Sequence, residues 1–177
     1  MQPWVAAATD PARTGTTIDA HPAASGNVVA WSKVSRIDLW RDAGLRFPLD
    51  RLYEDQVVAQ QLYSSARAFD VIPDVVVEWR ERADGSSITQ RKDALPVLHD
   101  YLEAMAGGIE VLDATGHRAA ASARVRLILA MDMPPLVRIA EDHPDEGYRR
   151  ALGEFVRVLV ARHDAVPTEE VAAALAW

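Results

Sequence analysis

The sequence contains no cysteine, which excludes disulfide bonds and thiolate-ligated metal sites. No apolar run approaches the roughly 20 residues that a membrane-spanning helix needs, and the N-terminal residues lack the basic region and long apolar core of a signal peptide. Positive charge is also scarce, because 19 Lys and Arg residues face 26 Asp and Glu residues, for a net charge of −7. That balance argues against nucleic acid or an anionic membrane as the main partner. The expected location is cytoplasmic.

The common catalytic and ligand-binding fingerprints are missing too. The sequence contains no P-loop, no GxGxxG, no GxSxG and no zinc fingerprint. Its five histidines include no i, i+4 pair and no other spacing typical of metal ligands. The acidic run EDHPDE at 141–146 is interpreted as a loop between two helices, with Asp145 capping the second, rather than as an oxygen-ligated metal site. No metal site is predicted in this chain.

What the sequence does contain is typical of a globular domain: 177 residues, 49% hydrophobic and 25% charged. Residues 1–27 are rich in Pro, Gly, Ala and Thr without a sustained period and are predicted to form loop. Residues 28–92 mix strand and helix patterns, whereas residues 93–177 show helical ones. The predicted fold class is therefore α/β, with a loop-rich segment at 1–27, a mixed part at 28–92 and a helical extension at 93–177.

Short elements are predicted within residues 28–92. Val28–Trp31 is an apolar run typical of a buried strand. Ser35 is predicted to cap a short helix that Gly44 ends. From Val75 to Arg80 the side chains alternate with period two, which predicts a strand with one face toward the core.

The extension is predicted to consist of consecutive helices. The first places Leu95, Leu98, Leu102 and Met105 on one face and is predicted to end at Gly107-Gly108. Later helices are predicted at about 117–131, from about Pro135, and around the apolar positions 148–159. Thr168 is predicted to cap the last helix.

The pair Glu54-Asp55 stands where a loop is predicted to become a helix. Pro48 forbids the α region to the residue before it, and after the pair apolar residues recur at helical spacings, at Val58, Leu62, Ala66 and Phe69. In the first turn of that helix two carboxylates lie beside unpaired N–H groups and the positive end of the helix dipole. Either acid could then act as a general base in a cleft. The simpler interpretation is that acids are common in first turns because the dipole stabilises them.

A second candidate region lies at the end of the predicted strand. Arg80 and Arg82 precede a hydroxyl-rich loop with Ser86, Ser87 and Thr89. Guanidinium groups bind phosphate oxygens in a bidentate manner and hydroxyls add neutral donors, so this segment suits a diphosphate. An arginine pair beside a polar loop is also an ordinary surface feature.

Aromatic residues bracket the two regions: Trp31, Trp40, Tyr53 and Trp79. Each is interpreted as part of the core or as the wall of a cleft. Tyr53, next to the two acids, is the best candidate for stacking on a sugar ring.

Taken in order, these segments resemble the second half of a family 2 glycosyltransferase of GT-A fold. That family has a W-N-K-hydrophobic-x-R run, then G-[LI]-R-F-P, then a Glu-Asp pair that opens a helix, then a strand ending in Y/W-R-x-R/H before a Ser-rich loop. The matching segments here are WSKVSR at 31–36, GLRFP at 44–48, ED at 54–55, and WRER at 79–82 before SSIT at 86–89. The similarity covers about residues 28–92 and is nearest to bacterial enzymes that glycosylate cell-envelope polymers, including teichoic-acid-type glycosyltransferases. A weaker likeness to the helical extension of actinobacterial relatives continues to the C-terminus.

The resemblance implies an inverting transfer of a sugar from a nucleotide-sugar donor to a hydroxyl of a cell-envelope polysaccharide or teichoic-acid-like polymer. The Asp of the family's Glu-Asp pair is the general base, which gives that role to Asp55 and leaves Glu54 to orient the acceptor. The segment that contacts the donor diphosphate is matched by Arg80, Arg82, Ser86, Ser87 and Thr89. The expected acceptor-side or cleft residues are Tyr53, Trp31 and Lys33. A peripheral position at the inner face of the membrane is an alternative to a free cytoplasmic one.

The sequence departs from the family pattern at two motif positions. Ser32 stands where the family has Asn, which leaves the role of that position open. Arg82 stands where many relatives have a His that can approach the metal, so only phosphate contact is implied.

A larger departure concerns the donor side. A full-length member holds Mg²⁺ or Mn²⁺ on a D-x-D motif that follows a nucleotide-binding strand-helix-strand unit, and residues 1–27 supply neither. The chain is therefore expected to be the acceptor-side half, without tight nucleotide-sugar binding of its own, and to expose apolar surface or self-associate. The alternative is a non-catalytic remnant that acts as an interaction or assembly module.

Overall fold

The computed structural model describes residues 3–78 and 91–177. Most of these residues are helical, and one small antiparallel sheet joins two strands. The helices and strands are α1 (Pro3–Thr9), β1 (Arg13–Thr16), α2 (Ile37–Asp42), α3 (Asp55–Ser65), β2 (Phe69–Val71), α4 (Leu95–Ala114), α5 (Arg118–Leu127), α6 (Met133–Glu141), α7 (Glu146–His163) and α8 (Glu169–Ala172). Short 3-10 turns lie at Pro22–Gly26, Ala30–Ser32 and Ala173–Ala176, and a π-helical turn lies at Ile128–Asp132. The α/β prediction thus holds only in the loose sense that a two-stranded sheet accompanies the helices.

The chain divides into two compact units. Unit 1 comprises Met1–Arg80 and Ala104–Arg124, and unit 2 comprises Glu81–Glu103 and Val125–Trp177. Helices α4 and α5 each contribute residues to both units. Within the described ranges, no helix combines the length and the apolar content that crossing a membrane requires.

The sheet of unit 1 pairs β1 with β2 through a bulge. Arg13 lies opposite Val71 and Thr16 opposite Phe69, so β1 holds one extra residue between the two pairs. Gly15 adopts φ 64°, which glycine reaches without steric cost, and its N–H donates to Asp70 Oδ1 at 2.7 Å. The prediction that residues 1–27 form loop is therefore wrong for β1 and for α1.

The second strand, β2, lies earlier in the chain than the strand that the period-two pattern from Val75 to Arg80 predicts. Val75–Val77 are not in a strand and are exposed, at 73%, 62% and 43%, while Trp79 and Arg80 lie outside the described residues. A strand needs a partner for its backbone groups, and β1 pairs with Phe69–Val71 instead. Pro73, which has no N–H to donate, follows that strand closely. The strand predicted from Val75 is wrong for its described residues.

Residues 28–45 also differ from their predicted structure in part. Val28–Trp31 is not a strand, because Ala30 begins a 3-10 turn. Ser35 does not cap α2, since Arg36 is the N-cap residue without a side-chain bond and Ser35 Oγ accepts from Trp40 Nε1 at 2.6 Å. The end of α2 is confirmed. Gly44 adopts φ 63°, its N–H donates to Arg41 O, and the next N–H donates to Trp40 O, which is the Schellman arrangement.

Helix α4 continues through the glycine pair that was predicted to end it. A Cβ on Gly107 would lie 3.0 Å from Val57 Cγ2, and one on Gly108 would lie 3.3 Å from Gln56 O. The two glycines therefore allow α3 to pack closely against α4 rather than breaking the helix. The helix ends at Ala114, and Gly116 just beyond it adopts φ 84°, with the following N–H donating to Leu112 O at 2.8 Å.

Unit 2 is built around the apolar faces of α6 and α7. Fully buried residues on these helices include Leu136, Val137, Tyr148, Leu152 and Val156. The predicted caps are confirmed: Asp145 accepts from Gly147 N at 2.8 Å, and Thr168 accepts from Val171 N at 3.4 Å. The helices predicted at about 117–131 and from about Pro135 are joined, because a π-helical turn links α5 to α6.

Candidate functional site

Asp55 is the first residue of α3, where the sequence places the start of that helix. The chain reaches it through Tyr53, which adopts the left-handed value φ 58°. For a bulky residue that conformation costs about 1–2 kcal/mol. Such a cost persists only where the surrounding structure enforces it, and it is often found beside functional groups.

Asp55 and Lys33 line the same small cavity in unit 1. Most of its wall is apolar, from the 28–30 segment, α2, Phe47 and one face of α3. The lining residues are Val28, Ala30, Lys33, Ser35, Trp40, Phe47, Asp55, Val58, Ala59 and Leu62. Two groups that can carry opposite charges are thus enclosed largely by hydrocarbon. The cavity measures about 40 Å³, far below the roughly 300–1,000 Å³ of pockets that enclose a small molecule.

The surroundings of Asp55 favour its protonated form. Burial raises the pKa of Asp55, the N–H of Ala30 lowers it by donating to the carboxylate, and the neighbouring charges of Glu54 and Lys33 raise and lower it respectively. Burial is the largest of these effects, because a charge loses solvation in an apolar wall. The result is a carboxylate with a stronger affinity for a proton than an exposed aspartate has.

Lys33 is held by oxygen acceptors on its own side of the cavity. Its Nζ donates to Val29 O at 2.8 Å and to Asn27 Oδ1 at 3.1 Å, and lies 5.6 Å from the centre of the Tyr63 ring. Burial lowers the pKa of Lys33 from 10.5 to about 7, and Asp55 opposes that change. Lys33 is therefore poised to gain or lose its proton near neutral pH.

Ser32, which replaces the family's Asn, belongs to the same network. Its Oγ lies 2.9 Å from Asn27 Oδ1 and 2.8 Å from Val29 O. These are two of the oxygens that also accept from Lys33. Ser32 thus shares these acceptors with Lys33, whose Nζ also donates to Ser32 Oγ at 3.4 Å; the sequence left the role of this position open.

The other predicted site residues are dispersed. Glu54 is exposed and is the N-cap residue of α3, without a side-chain capping bond. Trp31 is 52% exposed and does not line the cavity, and Tyr53 is half-buried. The structure therefore brings Asp55 and Lys33 together but not Trp31. The predicted diphosphate contacts lie outside the described residues: Arg80, Arg82, Ser86, Ser87 and Thr89.

Sequence reasoning missed the groups that hold these two side chains. Ala30 and Val29 act through their backbone, which leaves no signal in residue type. Asn27 could have been found, because its side-chain oxygen is a good acceptor for a nearby lysine, although the sequence analysis placed it only at the end of the predicted loop at 1–27.

The divalent ion implied by the glycosyltransferase resemblance has no ligand set in the described ranges. Among residues 3–78 and 91–177, no group of three or more His, Asp or Glu side chains could hold a metal ion. The described residues do not fit such an ion, and the role proposed for Asp55 does not depend on one.

Unit 2 carries a larger and more open groove, of about 650 Å³, lined by residues of α6 and α8. Its arginine, Arg138, pairs with Glu170 at 2.6 Å (Nε to Oε1) and 3.0 Å (Nη2 to Oε2). The groove contains none of the site residues predicted from the sequence. Its size alone gives no reason to assign it a role in sugar transfer.

In comparisons with known proteins, no protein-family model, no curated protein and no solved structure matches the chain.

Proposed function

We propose that the chain is the acceptor-side half of an inverting glycosyltransferase of GT-A fold, with Asp55 as the general base. The substrates would be a nucleotide-sugar donor and a hydroxyl of a cell-envelope polysaccharide or teichoic-acid-like polymer. The observation that carries the proposal is the position of Asp55: a half-buried carboxylate at the start of α3, on a cavity that it shares with Lys33.

In the proposed reaction Asp55 has one role, which is to accept the proton of the acceptor hydroxyl. The acceptor oxygen forms a bond to the anomeric carbon of the donor while the bond from that carbon to the diphosphate oxygen breaks. The diphosphate leaves with the electron pair, and the hydroxyl proton moves to Asp55. A base works best when its pKa lies near the working pH, so the raised pKa of Asp55 suits this task. Arg80 and Arg82 are assigned to the charge of the departing diphosphate.

The small cavity limits how an acceptor reaches Asp55. A volume of about 40 Å³ cannot enclose a sugar ring. We therefore expect the acceptor to bind at the mouth of the cavity, beside the exposed segment that runs from Arg46 to Arg51. Tyr53, at the end of that segment, remains the candidate for stacking on the sugar.

The proposal is tested by Asp55→Asn in the in-frame product of the coding sequence extended upstream of Met1. The amide keeps the shape of the side chain but removes its basicity, so we expect kcat to fall by about 10²–10⁴-fold with little change in the donor KM. Asp50→Asn is the matched control, because Asp50 is exposed in the same loop and its left-handed φ of 56° suits asparagine. A normal kcat in Asp55→Asn would show that Asp55 is only a first-turn acid. The chain alone is expected to show no micromolar binding of UDP-, GDP- or CDP-sugars in calorimetry.

The second candidate is a non-catalytic interaction module, and one observation favours it. Ile72, Val75 and Val76 are 60%, 73% and 62% exposed, which is unusual for neighbouring β-branched residues. An early stop codon upstream of Met1 would support this alternative. An upstream strand-helix-strand unit with a D-x-D motif would support the enzyme.

A further inference from the structure

The sequence contains two lysines, Lys33 in unit 1 and Lys92 in unit 2, and every other Lys or Arg position holds arginine. Both lysines are half-buried, and burial lowers the pKa of each. Of the two, only Lys33 lines the cavity that contains Asp55. Arginine stays charged in proteins, whereas a lysine whose pKa is lowered becomes a nucleophilic amine. Lys33 thus combines a nucleophilic group with an adjoining cavity.

The oxygens around Lys33 Nζ suit its neutral form as well as its charged form. Val29 O lies at 2.8 Å, Asn27 Oδ1 at 3.1 Å and Ser32 Oγ at 3.4 Å. An ammonium has three N–H donors for these three oxygens. An amine has two, which the two nearer oxygens accept, and the Ser32 hydroxyl can then donate to the nitrogen instead of accepting from it. The structure therefore holds the neutral amine in place without using its lone pair in a short bond.

We propose that Lys33 is a site of covalent acylation, which takes a two-carbon acyl group from a small activated acyl compound such as an acyl phosphate. The amine lone pair forms a bond to the carbonyl carbon of the donor, while the bond from that carbon to the phosphate oxygen breaks. Phosphate leaves with the electron pair and takes up the proton that the amine loses, so the product is a neutral amide. The proposal does not rest on the glycosyltransferase function.

The size and the wall of the cavity select a short neutral acyl group. A water-sized group needs about 10–15 Å³, so about 40 Å³ admits about three non-hydrogen atoms, the number that an acetyl group adds. Because the wall is largely apolar, it favours a neutral product over a charged one. A protonated imine formed with an aldehyde would keep the positive charge, and a carbamate formed with CO₂ would add a negative charge to the cavity that Asp55 lines. An amide avoids both.

The protonation state of Lys33 supports the reaction at neutral pH. Burial lowers the pKa of Lys33 to about 7, although Asp55 opposes that change. The other titratable group of the described residues that faces Lys33 is Tyr63, whose ring centre lies 5.6 Å from Nζ and whose pKa is raised by burial, so that it stays neutral. At pH 7 about half of Lys33 is amine, against on the order of 10⁻³ of a lysine with the ordinary pKa of about 10.4.

The experiment measures acetylation in Arg36→Lys, which provides an ordinary lysine three residues from Lys33. The Arg36 side chain is 88% exposed, so we expect this substitution to leave the fold unchanged. The chain is incubated with acetyl phosphate at pH 7, and the remaining amines are acetylated in denaturant with isotope-labelled acetic anhydride. Mass spectrometry then gives the fraction acetylated at positions 33, 36 and 92. Since nucleophilicity falls with pKa, with a Brønsted slope of about 0.4–0.5 for thiols, we expect Lys33 to react about 10–100-fold faster than position 36.

The pH profile and Lys92 provide the controls. Acetylation of Lys33 should level off above about pH 7, whereas position 36 should gain about tenfold per pH unit up to about pH 10. Lys92 has a lowered pKa but does not line this cavity, so it should react more slowly than Lys33. A rate at Lys33 no higher than that at position 36 would overturn the proposal. Equal rates at Lys33 and Lys92 would do so too, because the cavity would then select nothing.

Discussion

The two units differ in what they bury. Among the described residues, the buried polar side chains all lie in unit 1: His21, Ser25, Gln56, Gln60 and Arg124. The fully buried residues of α6 and α7 in unit 2 are apolar apart from the Tyr148 hydroxyl, which donates to Lys92 O at 2.7 Å. Burying a polar group is costly unless it is hydrogen-bonded, and each of these five side chains makes at least one hydrogen bond.

The buried polar groups of unit 1 make hydrogen bonds with defined partners. Arg124 Nη2 donates to Gln56 Oε1 at 2.9 Å, and Gln60 Nε2 donates to Ser25 O at 2.8 Å. Gln60 Oε1, by contrast, is buried without a hydrogen-bond partner among the described residues. These bonds fix α3 against its neighbours in unit 1 and thereby orient the helix that begins with Asp55. Hydrogen bonds of buried side chains thus position α3 in unit 1, whereas the core of α6 and α7 in unit 2 is largely apolar.

The largest effect expected from this contrast is in unit 2. Leu152→Ala removes a fully buried side chain of α7 and should lower the free energy of unfolding by about 2–5 kcal/mol, because it creates a cavity. The control is Val158→Ala on the same helix, where the side chain is 44% exposed and the cost should be much smaller. Urea unfolding of both variants gives the comparison. Equal losses would mean that unit 2 is not tightly packed around α7.

A second prediction concerns the cost that unit 1 carries at Lys33. In the unfolded chain Lys33 keeps its proton up to pH 10.5, whereas in the folded chain its pKa is about 7. Below pH 7 folding therefore places a charge in an unfavourable site, at a cost of about 4–5 kcal/mol. Lys33→Met removes that cost but loses hydrogen bonds to Val29 O and Asn27 Oδ1, about 1 kcal/mol each. We expect a net stabilisation of about 2–3 kcal/mol at or below pH 7.

The stability difference between Lys33→Met and the wild-type chain should also depend on pH. The stabilisation by Lys33→Met should be complete below pH 7 and shrink as the pH rises from 7 to 10.5. Above pH 10.5, where Lys33 is neutral in both states, it should become a net loss of about 2 kcal/mol, because only the lost hydrogen bonds remain. Arg36→Met is the control, because the Arg36 side chain is 88% exposed and its replacement should change stability by less than about 0.5 kcal/mol. Thermal unfolding across this pH range provides the measurement. A destabilised Lys33→Met at pH 7 would mean that the lysine is well solvated.

Features that depend on neighbours in sequence could be predicted. The start of α3 at Asp55, the end of α2 at Gly44, and the caps at Asp145 and Thr168 each follow from one residue and the backbone groups beside it. Asp55 could be chosen as a candidate for the same reason. Its partner Lys33 could be named only through the family resemblance.

Features that depend on distant partners could not be predicted. The strand is Phe69–Val71 because β1 lies opposite it, and nothing in the alternation from Val75 reveals that pairing. Gly107 is typical of the end of a helix, yet here its lack of a side chain allows α3 to pack closely against α4. One acceptor of Lys33 is the backbone carbonyl of Val29, which any residue type supplies.

The smallest effect on stability is expected at the exposed apolar surface of unit 1, where we predict self-association. Val75–Val77 are exposed β-branched residues that follow β2, and an apolar segment beside a sheet edge can pair with another copy. Val76→Lys adds a charge to this surface and should weaken self-association while changing the free energy of unfolding by less than about 0.5 kcal/mol.

Val166→Lys in unit 2 is the matched control, since Val166 is 88% exposed outside this segment. Sedimentation velocity over a concentration series measures the effect. A wild-type chain that stays monomeric throughout, or equal weakening by both lysines, would show that the valines of unit 1 do not mediate association.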